Sequence, residues 1–314
     1  MGYVIGLDLG GTQIRAIVAD QHGKIYAHHR ALTHVTRGLP AVLDTLIGCI
    51  EAVRPAVPTD QPLLGIGLGS PGPLDPDSGI IFCAPNMPGW HNVPLRDIVA
   101  ERTGLPVVIG NDANAAALGE WFFGAGRGSR DMVYITVSTG IGAGVISDGR
   151  LVLGRLGAGT ELGNLLIDCE QYLTWENLAS GTALAAAAAR AMPQHPDSHL
   201  HALAPAPAIT AAHVMQAAAE GDPLAQRLAQ REAALLGVGF VNVLHAFSPD
   251  IILVGGSVVT ANPWLLEAAH ETVRRHVIAD LYRSVPIQVA QLGEHVGVLG
   301  AAALLLYQQR QPHT

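Results

Sequence analysis

The sequence predicts an α/β protein of two similar lobes around a central cleft, built from a duplicated β-hairpin and helix unit. Three observations carry that reading. At the start of the chain an apolar strand, residues 4–9, meets Gly10-Gly11 and turns at Thr12 into a second strand, residues 14–19. About half a chain later the same order returns. Residues 132–137 run into Ser138-Thr139-Gly140-Ile141-Gly142-Ala143-Gly144, then Val145-Ile146 and the turn Ser147-Asp148-Gly149-Arg150. A third apolar strand, residues 250–254, ends in Gly255-Gly256-Ser257. One glycine turn after a strand is ordinary. Three, two of them at corresponding points of a repeated unit, imply lobes that each aim a turn at a shared cleft.

Taken in order, each element has a local reason. Gly10 and Gly11 permit backbone angles that a Cβ disfavours and let other groups approach the main chain. Bare N–H groups there, the Thr12 hydroxyl and the Asp8 carboxylate suit a phosphate accompanied by a divalent cation. A plain hairpin with Asp8 as a turn residue fits the residue types equally well. Residues 24–32 read as a third antiparallel strand, half exposed. Residues 39–53 carry helical spacing in Leu39, Val42, Leu43, Leu46, Ile50 and Val53 and stop before Pro55. A strand at 63–68 runs into Gly69-Ser70-Pro71-Gly72-Pro73. Gly67-x-Gly69-x-x-Gly72 matches a dinucleotide fingerprint, but Pro71, Pro73 and Pro76 forbid the helix that fingerprint needs.

A short strand at 80–83 precedes a loop at 84–90 that holds Asn86 and Trp90, a composition that serves binding or turn formation alone. Residues 105–109 form a continuous apolar strand of the buried parallel kind. Gly110-Asn111-Asp112 then opens a helix at 113–121. Asp112 is either that helix's N-cap or a catalytic group, because open α/β sheets bind ligands beyond the carboxyl ends of their strands. Glu161, Asn164, Glu176 and Asn177 follow among small residues, then an alanine-rich helix at 181–192. Residues 193–207 read as a surface loop whose His195, His199 and His201 lack the fixed geometry of metal ligands. Further helices are expected from near Thr210, at 222–244, at 263–278 and at 296–308.

Composition removes several functions. At 314 residues, 49% hydrophobic and 14% charged, the chain suits a well-packed globular protein with two lobes. A net charge of −8 argues against nucleic-acid backbones and anionic membranes as partners. Three scattered cysteines, Cys49, Cys83 and Cys169, fit a reducing, cytoplasmic setting. A strand that begins by residue 3 leaves no room for a signal peptide, and the apolar run at 296–307 is too short to span a bilayer. The chain has one lysine, Lys24, among its 18 basic residues, and it precedes Ile25. A Walker A loop is therefore excluded, and Lys24, which follows a His-Gly turn, is poorly placed as a protein-kinase strand lysine or a Schiff-base nucleophile. Any phosphate site must draw on glycine turns, helix ends, a metal or arginine.

Asp8-Leu9-Gly10-Gly11-Thr12, Gly110-Asn111-Asp112-Ala113-Asn114-Ala115, Ser138 to Gly144 and Leu253-Val254-Gly255-Gly256-Ser257 together resemble the ROK family. That family comprises bacterial sugar kinases, open reading frames and repressors within the actin-like ATPase superfamily, and the resemblance runs from residue 3 to about 305. It implies the two-lobed actin-like ATPase (ribonuclease H-like) fold. Residues 1–115 with 294–314 would form a smaller N-terminal lobe and 116–293 a larger C-terminal one, the last helix crossing back. It implies an ATP-dependent hexokinase-type phosphotransferase acting on glucose or a related hexose, at O6, in a cytoplasmic homodimer. Asp112 would be the general base, and Asn86, Asn111, Glu161, Asn164 and Glu176 would bind sugar hydroxyls. Asp8 would organise Mg²⁺ through water. Gly10, Gly11, Thr12, Thr139 and Gly140 would cradle phosphates, and Gly255 and Gly256 would lie against the adenosine. The family's repressors carry a DNA-binding segment before the first strand, for which residues 1–3 leave no space.

One departure stands out. The family pattern runs Glu-x-Gly-His, a zinc-holding cysteine cluster, then Glu. Here Glu161-Leu162-Gly163-Asn164 reaches Glu176 twelve residues later with Cys169 as the one thiol. One thiolate without that histidine cannot close a zinc site, so no zinc is expected. The departure leaves the sugar open among glucose, N-acetylmannosamine, allose and fructose, and admits a non-catalytic sugar sensor. An actin-like ATPase acting on proteins would leave Glu161, Asn164 and Glu176 without a task.

Overall fold

The computed structural model describes residues 2–84 and 87–311. Among them, two five-stranded sheets share one topology. β1 (Tyr3–Leu9), β2 (Gln13–Asp20), β3 (Ile25–Leu32), β4 (Leu63–Ser70) and β5 (Val107–Asn111) lie in the order β3-β2-β1-β4-β5. β6 (Met132–Val137), β7 (Ile141–Ser147), β8 (Arg150–Leu151), β9 (Ile251–Gly255) and β10 (Ile287–Val289) lie in the order β8-β7-β6-β9-β10. In each sheet the first strand pairs in parallel with the fourth, and the fourth with the fifth. The repeat visible in the glycine turns is thus a repeat of whole-sheet connectivity. The helices used below are α1 (Leu39–Val53), α2 (Asp112–Phe123), α3 (Trp175–Ala179), α4 (Gly181–Ala191), α5 (Ala211–Ala219), α6 (Pro223–Phe247), α7 (Trp264–His276) and α8 (Val296–Arg310).

The chain divides into two compact units. One holds the residues up to Ser129, Gly144–Thr160 and the residues from Gln291; the other holds Arg130–Ala143 and Glu161–Ala290. In the first, β1 is paired on both edges and buried on both faces. Alternate residues point to opposite faces of a strand. Tyr3, Ile5, Leu7 and Leu9 share one core with Val42, Leu46 and Ile50 of α1. Val4, from the opposite face, packs with Ala302, Leu305 and Leu306 of α8. Gly6 and Gly67 let the α8 backbone lie directly on the sheet, because a Cβ at either would strike the carbonyl oxygens of Val298 and Ala301. Gly119 of α2 and Gly300 of α8 do the same between helices, with a Gly119 Cβ falling 2.9 Å from the Gly300 nitrogen.

In the second unit, α6 packs on α3 around Trp175, which is 1% exposed and donates its indole N–H to the Leu235 carbonyl at 3.0 Å. Gly239 is required there, since any Cβ would overlap the indole ring.

Two expectations change. The apolar run at 105–109 is an edge strand, not a strand buried between neighbours: β5 ends the first sheet, and Val107 and Val108 are half-buried. Its apolar character follows from cover on both faces: Ile109 and Val107 pack with the core that holds β1 and α1, and Val108 with Ala302, Leu305 and Leu306 of α8. The segment 193–207 contains a helical turn, Leu200–Leu203, and is tied down. Buried Asp222 accepts from the His199 and Ala225 N–H groups at 2.8 and 2.7 Å, so one carboxylate caps α6 and holds the loop.

Candidate active site

In the first unit the parallel pairing brings the predicted carboxylates to one end of the sheet. Asp8 is in register with Gly69, and Gly69 with Gly110. Two strand spacings separate Asp8 from the Gly110-Asn111-Asp112 junction, roughly 10 Å across the sheet. The turn after β1 is closed by Gly10 N–H to Gln13 C=O at 3.0 Å. Neither Gly10 nor Gly11 takes the left-handed angles that motivated their choice; a Cβ on Gly10 would instead lie 3.0 Å from the Gln13 oxygen. Close approach, not backbone handedness, is what the first glycine supplies. Thr12 is exposed at the tip.

Two residues that sequence reasoning missed hold this turn. Thr33, fully buried at the end of β3, donates its hydroxyl to the Gly10 carbonyl at 2.6 Å and its N–H to Thr12 C=O at 2.9 Å. Arg15 donates to Asp8 Oδ2 from Nε at 3.1 Å and from Nη2 at 2.5 Å, and its Nη1 reaches the Glu294 carbonyl. The side chains are 32% and 13% exposed, so the pair is shielded from water on the Asp8 side. Arg15 is two residues past the turn on the neighbouring strand, directly opposite Asp8 in register. That cross-strand pairing was the available signal.

The helix opened by Asp112 is capped by its neighbour. Asn111 is the N-cap, its Oδ1 accepting from Ala113 N–H at 2.9 Å and Asn114 N–H at 3.5 Å. Asp112 is the first residue inside α2, exposed, with Oδ1 accepting from Ala113 N–H at 2.8 Å. A carboxylate in the first turn is favoured by the helix dipole. The Asn111 amide oxygen is committed to the cap. Asn86 lies outside the described residues.

The second unit assembles the remaining polar residues around Ile141. The turn after β6 closes through Ser138 N–H to Gly140 C=O at 2.9 Å, and Thr139 is exposed. Glu176, in the first turn of α3, accepts the Ile141 N–H at 2.7 Å with Oε2. Gly140 makes room for it, because a Cβ there would collide with that same carboxylate oxygen. Gly163 packs against the Ile141 carbonyl with equally little space, which seats the turn that carries Glu161 and Asn164. Within that turn Asn164 Nδ2 donates to Glu161 Oε2 at 3.3 Å, and both residues are exposed. Among the described residues no three His, Cys, Asp or Glu side chains are grouped to hold a metal; Cys169 is exposed in the turn after β-residues Leu166–Asp168.

Beside the Thr139 turn is a cavity of about 690 Å³, counting its open mouth, reached by Ser138, Thr139, Thr182, Thr210, Ser257 and Val258. It is bordered by the starts of α4 and α5, whose N-caps Ser180 and Thr210 accept from Ala183 and His213 N–H groups. Helix starts carry partial positive charge and free N–H donors, so such a pocket suits a phosphorylated ligand in a chain almost without lysine. Gly255 and Gly256 do not line it. Gly256, left-handed at φ 87°, turns the chain off β9 where any Cβ would strike the Val137 backbone, and so delivers Ser257 and Val258 to the cavity wall. Thr182 was missed, although Ser180-Gly181-Thr182 before an alanine run is a helix-start signal.

The fold is an α/β architecture whose two five-stranded sheets share one connectivity and each end their first strand in a glycine turn. The sequence profile of the ROK family matches residues 4–308, and the chain belongs to that family, with the actin-like ATPase fold its motifs implied. It is 35% identical to the glucokinase of Thermotoga maritima over 310 residues, 96% of each chain. It is 32% identical to the xylose repressor of Caldicellulosiruptor bescii, covering 98% of this chain and 78% of the repressor. Among solved structures, the ROK family glucokinase from Streptomyces griseus in complex with glucose and AMPPNP superimposes with a TM-score of 0.81 at 33% identity, over 96% of this chain and 99% of that one.

Proposed function

We propose that this protein is an ATP-dependent hexose kinase that transfers the γ-phosphoryl group to O6 of glucose. The observation that carries the reading is Asp112: an exposed carboxylate at the first turn of α2, at the carboxyl end of a parallel strand, held by the Asn111 cap. In that reading the hexose hydroxyl gives its proton to Asp112 as its oxygen bonds to the γ-phosphorus, and ADP departs with the electrons of the broken P–O bond. Phosphoryl transfer asks mainly for alignment and charge neutralisation, and a positioned base adds about 10² to 10⁴ in rate. Asn111, Asn86, Glu161, Asn164 and Glu176 are assigned to the other hydroxyls, and the Gly10-Gly11-Thr12 and Thr139-Gly140 turns to phosphate oxygens. Gly255 and Gly256 serve the adenosine side by placing Ser257 and Val258.

Asp8 fits a role toward Mg²⁺ as a single outer carboxylate. Arg15 occupies Oδ2 and leaves Oδ1 for a metal-bound water, which agrees with Mg²⁺ keeping several waters and few protein ligands. When bound, Mg²⁺ would neutralise charge on the β- and γ-phosphates. No zinc belongs to this reading. The protein is assigned to the cytoplasm as a homodimer; among the described residues no helix is long and apolar enough to cross a membrane.

The test is release of ADP with ATP and Mg²⁺ over a panel of glucose, N-acetylmannosamine, allose and fructose, with the product's phosphorylated carbon identified by NMR. Glucose is expected to give the highest kcat/KM and a 6-phosphate. A different preferred sugar would correct the substrate. Sugar binding without any ADP release would instead assign a sensor, the reading that the likeness to a xylose repressor supports.

A further inference from the structure

The Gly10 and Thr12 carbonyls of the first turn are both held by Thr33, one residue past β3. The Thr33 N–H bond to Thr12, 2.9 Å long, only continues the β2–β3 ladder beyond the Gln13 and Leu32 pair. The hydroxyl bond to Gly10, at 2.6 Å, belongs to no ladder. In a trans peptide the carbonyl of one residue and the N–H of the next point in opposite directions. Anchoring the Gly10 oxygen therefore turns the Gly11 N–H away from Thr33, and among the described residues that N–H meets no protein acceptor. The anchor matters because this peptide joins two glycines. A flip changes ψ of Gly10 and φ of Gly11, and glycine tolerates the new values on both sides. Flipped, the peptide would aim a carbonyl oxygen where its N–H now points, and an anion there would be repelled instead of bound.

We propose that Thr33 is a positioning residue for the triphosphate of ATP: its hydroxyl holds the Gly10–Gly11 peptide in the orientation that offers the Gly11 N–H to a phosphate oxygen. The ligand is that of the kinase reading, on which this role rests. Thr33 itself, at 0% exposure, cannot reach a ligand and acts only through the backbone it holds. The turn has no lysine to make up for a lost donor, since Lys24 lies at the far end of β2. All of these residues belong to the first unit.

The test is made on the full chain with AMPPNP and Mg²⁺. Glycine labelled at its carbonyl carbon and its nitrogen yields two Gly–Gly amide signals in a filtered NMR spectrum, Gly11 and Gly256, and Gly11→Ala identifies the first by its loss. In the parent, AMPPNP with Mg²⁺ should move the Gly11 amide proton downfield. Thr33→Val keeps the side-chain shape and loses the hydroxyl. It should weaken AMPPNP binding, read by calorimetry, about tenfold or more and shrink the Gly11 shift, while melting cooperatively. Thr33→Ser keeps the hydroxyl and should bind as the parent does, a rescue that a packing role alone would not give. A Gly11 proton unmoved by AMPPNP in the parent overturns the proposal without any substitution at Thr33. So does a folded Thr33→Val that binds like the parent, or a Thr33→Ser as weak as Thr33→Val. Failure of the kinase reading has a different signature: the parent binds AMPPNP and shows the Gly11 shift, yet releases no ADP with any sugar of the panel.

Discussion

At the scale of single residues, Asp112 and Glu176 do different work with the same functional group. Asp112 is exposed and positioned by its neighbour's cap, so Asp112→Asn should lower kcat about 10²- to 10⁴-fold while hexose affinity, read by calorimetry, changes less than about threefold. Near-normal turnover in that variant would remove Asp112 from the base role. Glu176 spends one oxygen on the Ile141 N–H and leans on Gly140. Gly140→Ala should displace it and cost kcat/KM for ATP and for hexose together, about 10- to 100-fold each, because a misplaced group of this kind loses roughly that much rate. A loss confined to one substrate would separate the two tasks. Asn111→Ala should cost about 1 kcal/mol in stability as a lost helix cap, measured by denaturant melts, with a fall in kcat as the Asp112 turn loosens.

These residues also show what was legible. Asp112 could be found because strand, glycine and acid stand in a row, but the choice between Asn111 and Asp112 as cap depends on backbone angles that composition does not encode. Gly140 could be found as a turn. Its contact with Glu176, 36 residues away in the chain, could not. Thr33 gave no signal because an isolated threonine at a strand end looks like any other. Arg15 was readable only once the β1–β2 register was known.

At the scale of elements, α6 carries a group that its amphipathic pattern does not explain. Glu232 is 1% exposed, and neither of its carboxylate oxygens has a hydrogen-bond partner among the described residues. It sits two turns before Gly239, on the face toward Trp175. Burial pushes its carboxyl up from 4.5 to about 8, against a smaller opposing pull from Arg231. From pH 4.5 to about 8 the folded protein therefore keeps a proton that the unfolded chain has released. Its stability falls as pH rises through that window and levels off above it. Glu232→Gln should remove the slope. The variant's advantage in thermal melts should be absent near pH 4.5 and grow toward pH 8, on the order of 5 kcal/mol at most. Equal pH profiles for both proteins would refute the assignment. Helix ends were otherwise well marked in sequence: Thr210 and Asp222 cap the elements they precede, as their residue types require. The edge position of β5 was not, since a run covered on both faces is apolar whether it has a strand on one edge or on two.

At the scale of the molecule, two sheets of one connectivity each end their first strand in a turn, and the repeat was legible because glycine and hydroxyl residues recur at matching points. What differs between the copies was not. In the first, a buried threonine and an arginine hold the turn; in the second, a glutamate does. Composition makes a prediction of its own. The chain's one lysine, Lys24, is exposed between β2 and β3, its ammonium 5.0 Å from the Tyr26 ring centre. Acetylation should cost no more than about 1 kcal/mol from that contact and leave kcat within about twofold. A larger fall would mean that phosphate handling uses an amine after all. The same solitary residue has a practical side: amine-directed coupling has a single side-chain target beside the chain's terminal amine, so a bead, an electrode or a dye can be attached at only two defined points without an engineered handle.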